Sequence, residues 1–355
     1  MDNKLNYQEK KVSLHSPKNR LAYFIMKNAP KVYNFIIQHK RLKNRFLENG
    51  THKCCCDISQ YDAIFFHMTG YLFNCRDSLT NYKGKIFLQS HCPKPQFLEI
   101  VEDTNTNNLF NKLHKKYYEK IDRYAFTRAD YLVFPCIEAL ESYDKYWAYF
   151  RKNRDLFIEK MRFAITGTKP IEKKKDFIDF RAKYHIPNDS TVFAFVGRHN
   201  KVKGYDLLKK LGKKYKNRKD IYFLICGSID GVNIPKYSNW IECGFISDIY
   251  SFLMSCDYYL SLNKDTYFDL SVLEVMSCGK RMICSYSGGN KYVINKCRPE
   301  LYAFSSRVAL YNLINTLLVK DKPIISNELI QFYLNNFCVN EFLNNIVHLF
   351  DSCLK

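Results

Sequence analysis

Apolar residues in the second half of the chain form short continuous runs separated by amphipathic stretches. The runs at 191–196, 221–226, 240–243, 258–262 and 281–284 predict strands. Continuous apolar strands with helices between them are typical of a parallel sheet that is buried on both faces. This half is therefore predicted to be an α/β domain.

The first half carries a weaker version of the same pattern. Strands are predicted at 63–66, 85–88 and 131–134, and a long helical region spans roughly 100–128. A helix containing Ala139, Leu140 and Tyr143 is expected to follow the third strand. Residues 21–47 are predicted to be helical, with a break near Pro30, because proline removes a backbone donor.

The length of 355 residues exceeds what one ordinary core organises and suits two domains. We predict a polar tail at 1–20, an amino-terminal domain at 21–168 and a carboxy-terminal domain at 169–335. The final helical region, about 336–355, is expected to pack back on the first domain.

The formal net charge of +20 favours anionic partners such as nucleotide phosphates, nucleic acid or an acidic membrane surface. Many basic residues have a simpler explanation. Residues 207–220 place Leu207, Leu208 and Leu211 on one stripe of a helix and lysines on its outer face. Most individual lysine runs are therefore interpreted as solvated surface.

The fourteen cysteines have no paired CxxC spacing, and three are contiguous at Cys54, Cys55 and Cys56. This is a poor arrangement for tetrahedral zinc, and no metal site is expected. The first residues do not resemble a signal peptide, and no run approaches 18 apolar residues. We therefore expect reduced thiols and a cytoplasmic location.

Six short motifs follow one another within about a hundred residues of the second half. They are Val196-Gly-Arg198, Lys203-Gly204, Cys226-Gly227, Gly244-Phe-Ile-Ser-Asp248, Leu273-Glu-Val-Met-Ser-Cys-Gly279 and Ser287-Gly-Gly-Asn290. In this order they resemble the retaining family-four (group 1) glycosyltransferases. The resemblance implies an α/β GT-B fold, in which two Rossmann-like domains with parallel sheets face a central cleft.

The amino-terminal half resembles the family more weakly, through residues 61–67, 90–91, 128–133 and 138–140. The glycine-rich loop that this family carries after its first strand is missing. Residues 165–168 resemble the segment between the two domains.

Arg198 and Lys203 are the candidate ligands of a donor diphosphate. When a nucleotide-sugar loses its sugar, negative charge develops on the departing phosphate, and fixed cations stabilise it. Arg198 offers a planar fork of donors and Lys203 a mobile point charge. Gly197 lets the backbone approach, and the helix that begins near Gly204 adds its dipole. The alternative is that both are ordinary surface cations.

Glu274 has two possible roles. The resemblance implies that it binds the ribose hydroxyls of the nucleotide, with the backbone amides of Leu270 and Ser271 near phosphate. Alternatively, Ser271-x-x-Glu274 is a capping box, in which Glu274 satisfies an amide at the start of a helix.

The acidic pattern of the family is altered here. Thr266 occupies the position of a glutamate that contacts the donor sugar in the family, and Asp269 replaces a glycine. Asp265 or Asp269 could substitute for the missing carboxylate. Phe245, within the Gly244–Asp248 motif, is also a candidate donor contact.

His91 and His67 follow apolar strands at the expected cleft side. The resemblance places His91 near the donor sugar and the reaction centre, and it is the third candidate catalytic residue beside Arg198 and Lys203. A structural, hydrogen-bonded histidine is the alternative for both.

The first fifty residues hold eleven Lys and Arg against three acidic residues, a local net charge of +8. Interleaved Phe24, Ile25, Tyr33, Phe35 and Ile36 are compatible with docking on an anionic membrane. A helix packed on its own domain is the alternative.

These observations predict metal-independent transfer of a sugar from a UDP- or GDP-linked donor to a saccharide or lipid-linked acceptor, with retention of configuration. A role in surface polysaccharide synthesis is suggested only by what members of this family commonly do. One rival is a non-catalytic relative that binds nucleotide or glycan. The other is a nucleic-acid-binding protein, which is not expected because no recognisable binding motif accompanies the charge.

Overall fold

The computed structural model describes residues 20–47, 57–103, 109–229, 231–297, 300–320, 322–323 and 325–354. The contiguous Cys54–Cys56 and nearly all of the predicted tail at 1–20 lie outside these residues.

The helices alternate with the strands through most of the chain. They are α1 (Arg20–Asn28), α2 (Pro30–Leu47), α3 (Thr69–Asn74), α4 (Gln96–Asp103), α5 (Leu109–Arg128), α6 (Glu141–Tyr146), α7 (Ala148–Lys152), α8 (Arg154–Lys160), α9 (Phe180–Lys183), α10 (Tyr205–Tyr215), α11 (Ile249–Met254), α12 (Leu270–Ser277), α13 (Gly289–Lys296), α14 (Arg307–Leu317), α15 (Asn327–Asn336) and α16 (Val339–Leu354). Short 3-10 helices occupy Ile58–Gln60 and Ile137–Leu140.

The strands form two separate parallel sheets. They are β1 (Ala63–Phe66), β2 (Lys85–Gln89), β3 (Tyr131–Phe134), β4 (Met161–Phe163), β5 (Thr191–Val196), β6 (Ile221–Cys226), β7 (Trp240–Gly244), β8 (Tyr258–Ser261), β9 (Met282–Ser285) and β10 (Leu301–Phe304). The first sheet has the order β1-β2-β3-β4 and the second β10-β9-β8-β5-β6-β7. The predicted α/β class with two parallel sheets is confirmed.

Strand β5 shows why the apolar runs are continuous. Phe193 and Phe195 pack with helix α10 on one face of the sheet, whereas Val192 and Ala194 belong to the core on the other face. Successive side chains of a strand point to opposite faces, so a sheet covered on both sides needs apolar residues at every position.

The last helix, α16, packs on the first sheet although it follows the second in sequence. Leu349 and Cys353 share a buried cluster with Phe87 and Val133, and Phe350 packs against that cluster. The hydroxyl of Tyr131 donates to the carbonyl of Cys353 at 3.2 Å. The chain therefore returns to its amino-terminal half at its end.

The predicted elements differ from the observed ones at a few places. Helix α4 begins at Gln96, earlier than the predicted start near residue 100, directly after Pro95. Strands β4 and β10 were not predicted, because strands of three or four residues carry little periodic signal. The predicted break near Pro30 is present between α1 and α2.

Candidate functional site

The carboxyl ends of β5 and β6 bring two glycines into contact. The amide of Gly197 donates to the carbonyl of Cys226 at 2.9 Å. A Cβ on Gly227 would collide with the carbonyl oxygen of Gly197, and its φ of +145° is outside the usual range of other residues. In a parallel sheet this edge is where ligands bind.

The loop from Gly197 to Gly204 is folded tightly. The side chain of Asn200 accepts from the amide of Lys203 at 2.9 Å, and the carbonyl of Asn200 accepts from Tyr205 at 3.1 Å. Gly204 has a φ of +76°, and an added Cβ would collide with the carbonyl of Leu262. The backbone of Lys203 is thereby fixed at the start of α10.

A buried polar cluster supports this loop from below. His199 lies next to Arg198, and its Nε2 is 2.8 Å from Oε2 of Glu242. The other oxygen, Oε1, accepts from the Tyr205 hydroxyl at 2.8 Å and from Nε1 of Trp240 at 2.9 Å. The contact between His199 and Glu242 was not predicted from the sequence, since a histidine and a glutamate 43 positions apart carry no local signal.

Lys203 meets the loop that precedes α12. Its ammonium lies 3.4 Å from Oδ1 of Asp269, whose side chain is only 5% exposed. Oδ2 of Asp269 accepts from Ser261 at 3.1 Å and Asn263 at 2.6 Å, while Oδ1 also accepts from Ser271 at 2.9 Å. Asp269 is thus a hub with four donors.

The capping-box explanation of Glu274 is wrong. Helix α12 begins at Leu270 with Asp269 as its N-cap residue, and within the described residues no side chain caps its amides. Ser271 lies inside the helix and instead bonds Asp269 at 2.9 Å and the hydroxyl of Tyr259 at 3.1 Å. Burial, followed by the charge of Asp269, raises the pKa of Glu274, and Lys203 opposes this shift.

Thr266 is buried and acts as a tie between two loops. Its hydroxyl donates to the carbonyl of Ser287 and accepts from the amide of Asn290 at 3.3 Å. Its carbonyl accepts from the amide of Gly289 at 3.2 Å. Thr266 therefore binds the glycine turn before α13.

Asp265 faces the amino-terminal half. Its carboxylate lies 3.5 Å from the ammonium groups of both Lys94 and Lys145. The hydroxyl of Tyr146 donates to it at 3.2 Å. Of the two carboxylates considered as substitutes for the missing glutamate, Asp265 is held by cations across the cleft and Asp269 by donors of its own domain.

His91 and His67 lie together after β2 and β1. Nδ1 of His67 is 2.8 Å from Nε2 of His91, and the rings stack at 5.1 Å. Partial burial and the proximity of His67 lower the pKa of His91. In this contact one ring nitrogen donates and the other accepts, so the two nitrogens do not both carry a proton.

Three further candidates are open to solvent. Arg198 is exposed and lies within the loop from Gly197 to Gly204. Phe245 follows β7, and its side chain is 89% exposed. Leu270, at the start of α12, is also exposed, at 44%.

A family model supplies the decisive comparison. Residues 176–322 match the model described as "Glycosyl transferases group 1". Over these residues the carboxy-terminal half resembles a group 1 glycosyltransferase domain. A search of curated protein sequences gave no match.

Solved glycosyltransferases extend the similarity to the whole fold. Sucrose-phosphate synthase from Thermosynechococcus elongatus superposes with a TM-score of 0.60 and 15% identity, over 90% of this chain and 78% of that one. The lipopolysaccharide outer core galactosyltransferase WaaB, in its apo form, gives 0.59 and 16% identity, over 90% and 82%. HepE of Anabaena, in complex with UDP, gives 0.58 and 14% identity, over 83% and 79%.

The GT-B fold expected from the sequence is thus confirmed, and the group 1 resemblance is supported by the model match over residues 176–322. The narrower assignment to the retaining family-four enzymes stays a prediction. In the GT-B frame, the donor-side candidates Gly197, Lys203, Asp269 and Glu274 come together where β5 and β8 end. Asp265 and Thr266 instead join this region to other elements.

Among the side chains that the structure describes, no three His, Cys, Asp or Glu residues are grouped so that they could hold a metal ion. The fixed positive groups at the candidate site are Lys203 and Arg198.

Proposed function

We propose that this chain transfers a sugar from a nucleoside-diphosphate donor to a saccharide or lipid-linked acceptor, with retention of configuration and without a metal. The observation that carries the proposal is the meeting of the Lys203 loop with the start of α12, which gathers a cation, Glu274 and helix amides at the carboxyl edge of a parallel sheet. The group 1 match covers this same region.

In the proposed donor complex, Lys203 and Arg198 bind the diphosphate. The amides of Leu270 and Ser271, at the start of α12, lack side-chain caps among the described residues and are available to phosphate oxygens. Glu274 accepts from the ribose hydroxyls. The exposed ring of Phe245 is suited to stack on the base.

In the proposed reaction, the bond between the anomeric carbon and the phosphate oxygen breaks, and the acceptor oxygen bonds to that carbon on the same face. The acceptor proton passes to the departing phosphate. Lys203 and Arg198 stabilise the charge that develops there. His91, neutral because its pKa is lowered, lies on the acceptor side as a hydrogen-bonding group for a sugar hydroxyl.

A UDP-linked donor is the first to test, since HepE is a complex with UDP, and a GDP-linked donor is the second. The experiment is a thermal-shift screen of UDP, GDP, ADP, CMP and their sugar conjugates. A ligand at a hundred times its dissociation constant stabilises the folded state by about 2.7 kcal/mol. One nucleotide class should raise the melting temperature, and Arg198→Ala should abolish the shift. No shift with any nucleotide would contradict the proposal.

A second candidate is a non-catalytic relative that binds nucleotide without transfer. Thr266 favours it, because the position of the donor-sugar glutamate is buried and committed to Ser287 and Asn290. A panel of UDP- and GDP-sugars assayed for nucleotide release decides between the two. Nucleotide binding without release from any donor supports the non-catalytic relative.

We further propose that helices α1 and α2 dock on an anionic bilayer, where a lipid-linked acceptor would be reached. Phe24 is 64% exposed, and Tyr23, Ile36 and the basic Lys27 and Lys40 are also exposed. Within the described residues no helix is long and apolar enough to cross a membrane. The helices do not lie free, since α2 stacks Phe35 on His114 of α5 at 4.6 Å.

Sedimentation with vesicles checks this docking. Wild-type protein should sediment with phosphatidylglycerol vesicles and much less with phosphatidylcholine, and Phe24→Ser should weaken binding. Equal sedimentation with both vesicle types at moderate salt would contradict it.

A further inference from the structure

Helix α6 carries charged residues that contact two separate parts of the carboxy-terminal domain. At its first residue, Oε2 of Glu141 accepts from the amide of Gly288 at 2.6 Å and pairs with Lys291 at 2.9 Å. One turn later, Lys145 pairs with Asp265 at 3.5 Å. The amino-terminal domain, which bears α6, is thereby joined to the carboxy-terminal domain through one acidic and one basic residue of the same helix.

The contact at Asp265 is largely shielded from water. Its side chain is 13% exposed, and that of Lys94 is 16% exposed. The ammonium of Lys94 also lies 5.1 Å from the ring centre of Tyr146, whose hydroxyl bonds the same carboxylate. The carboxylate of Asp265 is thus partly shielded and is paired with cations of the other domain, so this contact depends on the two domains remaining together.

The two contact points on the carboxy-terminal domain form one platform. Asp265 precedes Thr266, which bonds the amides of Gly289 and Asn290 and the carbonyl of Ser287. Glu141 binds the same glycine turn at Gly288. Helix α6 therefore docks on two loops that are already bonded to each other.

This platform is close in sequence to both candidate half-sites, His91 on the acceptor side and the Lys203–Asp269 pair on the donor side. Lys94 follows His91 by three residues, and Asp265 precedes Asp269 by four residues. Bond formation between two bound substrates needs their reacting atoms to be held close, and small misplacements lower the rate strongly. A change in the contact between α6 and the platform is therefore expected to change the separation of the half-sites.

We propose that Glu141 and Asp265 are positioning residues that hold the two half-sites of the transferase at reacting separation. The loop whose glutamate would contact the donor sugar, by the sequence resemblance, here serves as part of an interdomain clamp. The clamp consists of Glu141, Lys145, Asp265 and Lys291, together with Lys94. This inference rests on the proposed function for its catalytic consequence but not for its structural part.

The test compares Asp265→Asn combined with Glu141→Gln against the wild-type chain. Asp144→Asn is the matched control, because Asp144 lies on the same helix but pairs with Arg154 of its own domain at 3.0 Å. The radius of gyration from small-angle scattering should increase in the double variant and remain unchanged in the control. An unchanged radius in the double variant overturns the clamp.

The positioning role is tested by measuring UDP binding and UDP release separately in the double variant. UDP affinity should stay within about twofold, since Lys203, Arg198 and Glu274, which are proposed to bind UDP itself, are unchanged. UDP release from the UDP-sugar that the wild-type chain uses should fall at least about tenfold. A larger radius with unchanged turnover overturns the positioning role. If the wild-type chain releases UDP from no donor, the proposed function fails, whereas an increased radius still supports the clamp.

Two further measurements do not depend on the folding of the double variant. Glu141→Lys with Lys291→Glu restores the ion pair with reversed charges and should recover a radius closer to the wild-type value than Glu141→Lys alone. The wild-type radius should also grow at about 1 M salt, where the Debye length is only about 3 Å. No rescue by the swap and no effect of salt would both count against an electrostatic clamp.

Discussion

The ammonium of Lys203 lies 3.4 Å from Oδ1 of Asp269, so the residue proposed to bind the donor phosphate is paired with a carboxylate. Three neutral donors, Ser261, Asn263 and Ser271, hold the same carboxylate. A diphosphate must therefore compete with Asp269 for Lys203, which limits the affinity that this cation alone can supply.

Lys203→Met should separate binding from folding. Asp269 keeps its three neutral donors, so the variant should fold with a small loss of stability. Loss of a charge-assisted hydrogen bond should weaken UDP binding by about 1.5–3 kcal/mol, measured by calorimetry. Lys201→Met, in the same loop, is the control. Equal UDP affinity in both variants would refute the role of Lys203.

Glu274→Gln should raise the stability of the free protein and lower its nucleotide affinity. The pKa of Glu274 is raised by burial and by Asp269, so the folded chain binds this proton more tightly than the unfolded chain does. The stability that this group contributes is present below its ordinary pKa of 4.5 and is lost as the pH rises through its raised value. At neutral pH the glutamine removes that penalty.

Urea unfolding at pH 7 measures the stability of Glu274→Gln, and calorimetry with UDP measures binding. The exposed Glu172→Gln is the control and should change neither. Unchanged UDP affinity in Glu274→Gln would show that the carboxylate does not contact the ribose.

Thr266→Val should destabilise the fold although it preserves the shape of the side chain. The valine removes both hydrogen bonds of the Thr266 hydroxyl, although the amide of Asn290 still donates to the carbonyl of Ser287 at 3.2 Å. Loss of a hydrogen bond costs about 0.5–1.5 kcal/mol, which urea unfolding detects. Thr266→Ser keeps the hydroxyl and should remain close to wild type. If valine and serine behave alike, the tie is energetically unimportant.

The stability that Asp122 contributes should fall as the pH rises, opposite to the effect of a carboxylate whose pKa is lowered by folding. It is fully buried, and burial raises its pKa from 3.8 to about 7. The hydroxyl of Thr69 is 2.6 Å from its Oδ1 and also contacts Gln96. Burial favours the neutral acid, whereas the hydrogen bonds from Thr69 and from the amide of Phe97, at 3.0 Å, favour the carboxylate and limit the rise of the pKa.

The stability contributed by Asp122 is therefore present below pH 3.8 and is lost as the pH rises to about 7. A shift of about three units corresponds to about 4 kcal/mol. Asp122→Asn stays neutral, so the difference in unfolding free energy between wild type and variant should change by up to that amount across this range. The exposed Asp189→Asn should show no such trend. A pH-independent difference for Asp122→Asn would contradict the raised pKa.

The class of fold followed from the sequence because its signals are local. Strand β5 is apolar at every position from Val192 to Val196, and this alone indicates a parallel strand between two layers. The ordered motifs from Val196 to Asn290 indicated a nucleotide-sugar domain, because tight turns at the carboxyl ends of strands need particular residues. Gly204 and Gly227 are examples, since only glycine fits their backbone conformation and their close neighbours.

The tertiary structure alone decided which polar residues meet. Asp265, Thr266 and Asp269 lie within five positions in the sequence, and Asp265 and Asp269 looked like interchangeable substitutes for the glutamate that Thr266 replaces. In the fold they face a lysine pair of the other domain, a glycine turn and Lys203, respectively. The contact between His199 and Glu242 likewise could not be predicted from the sequence. Such contacts depend on the packing of distant elements, whereas apolar periodicity and turn residues act within a few positions of the chain.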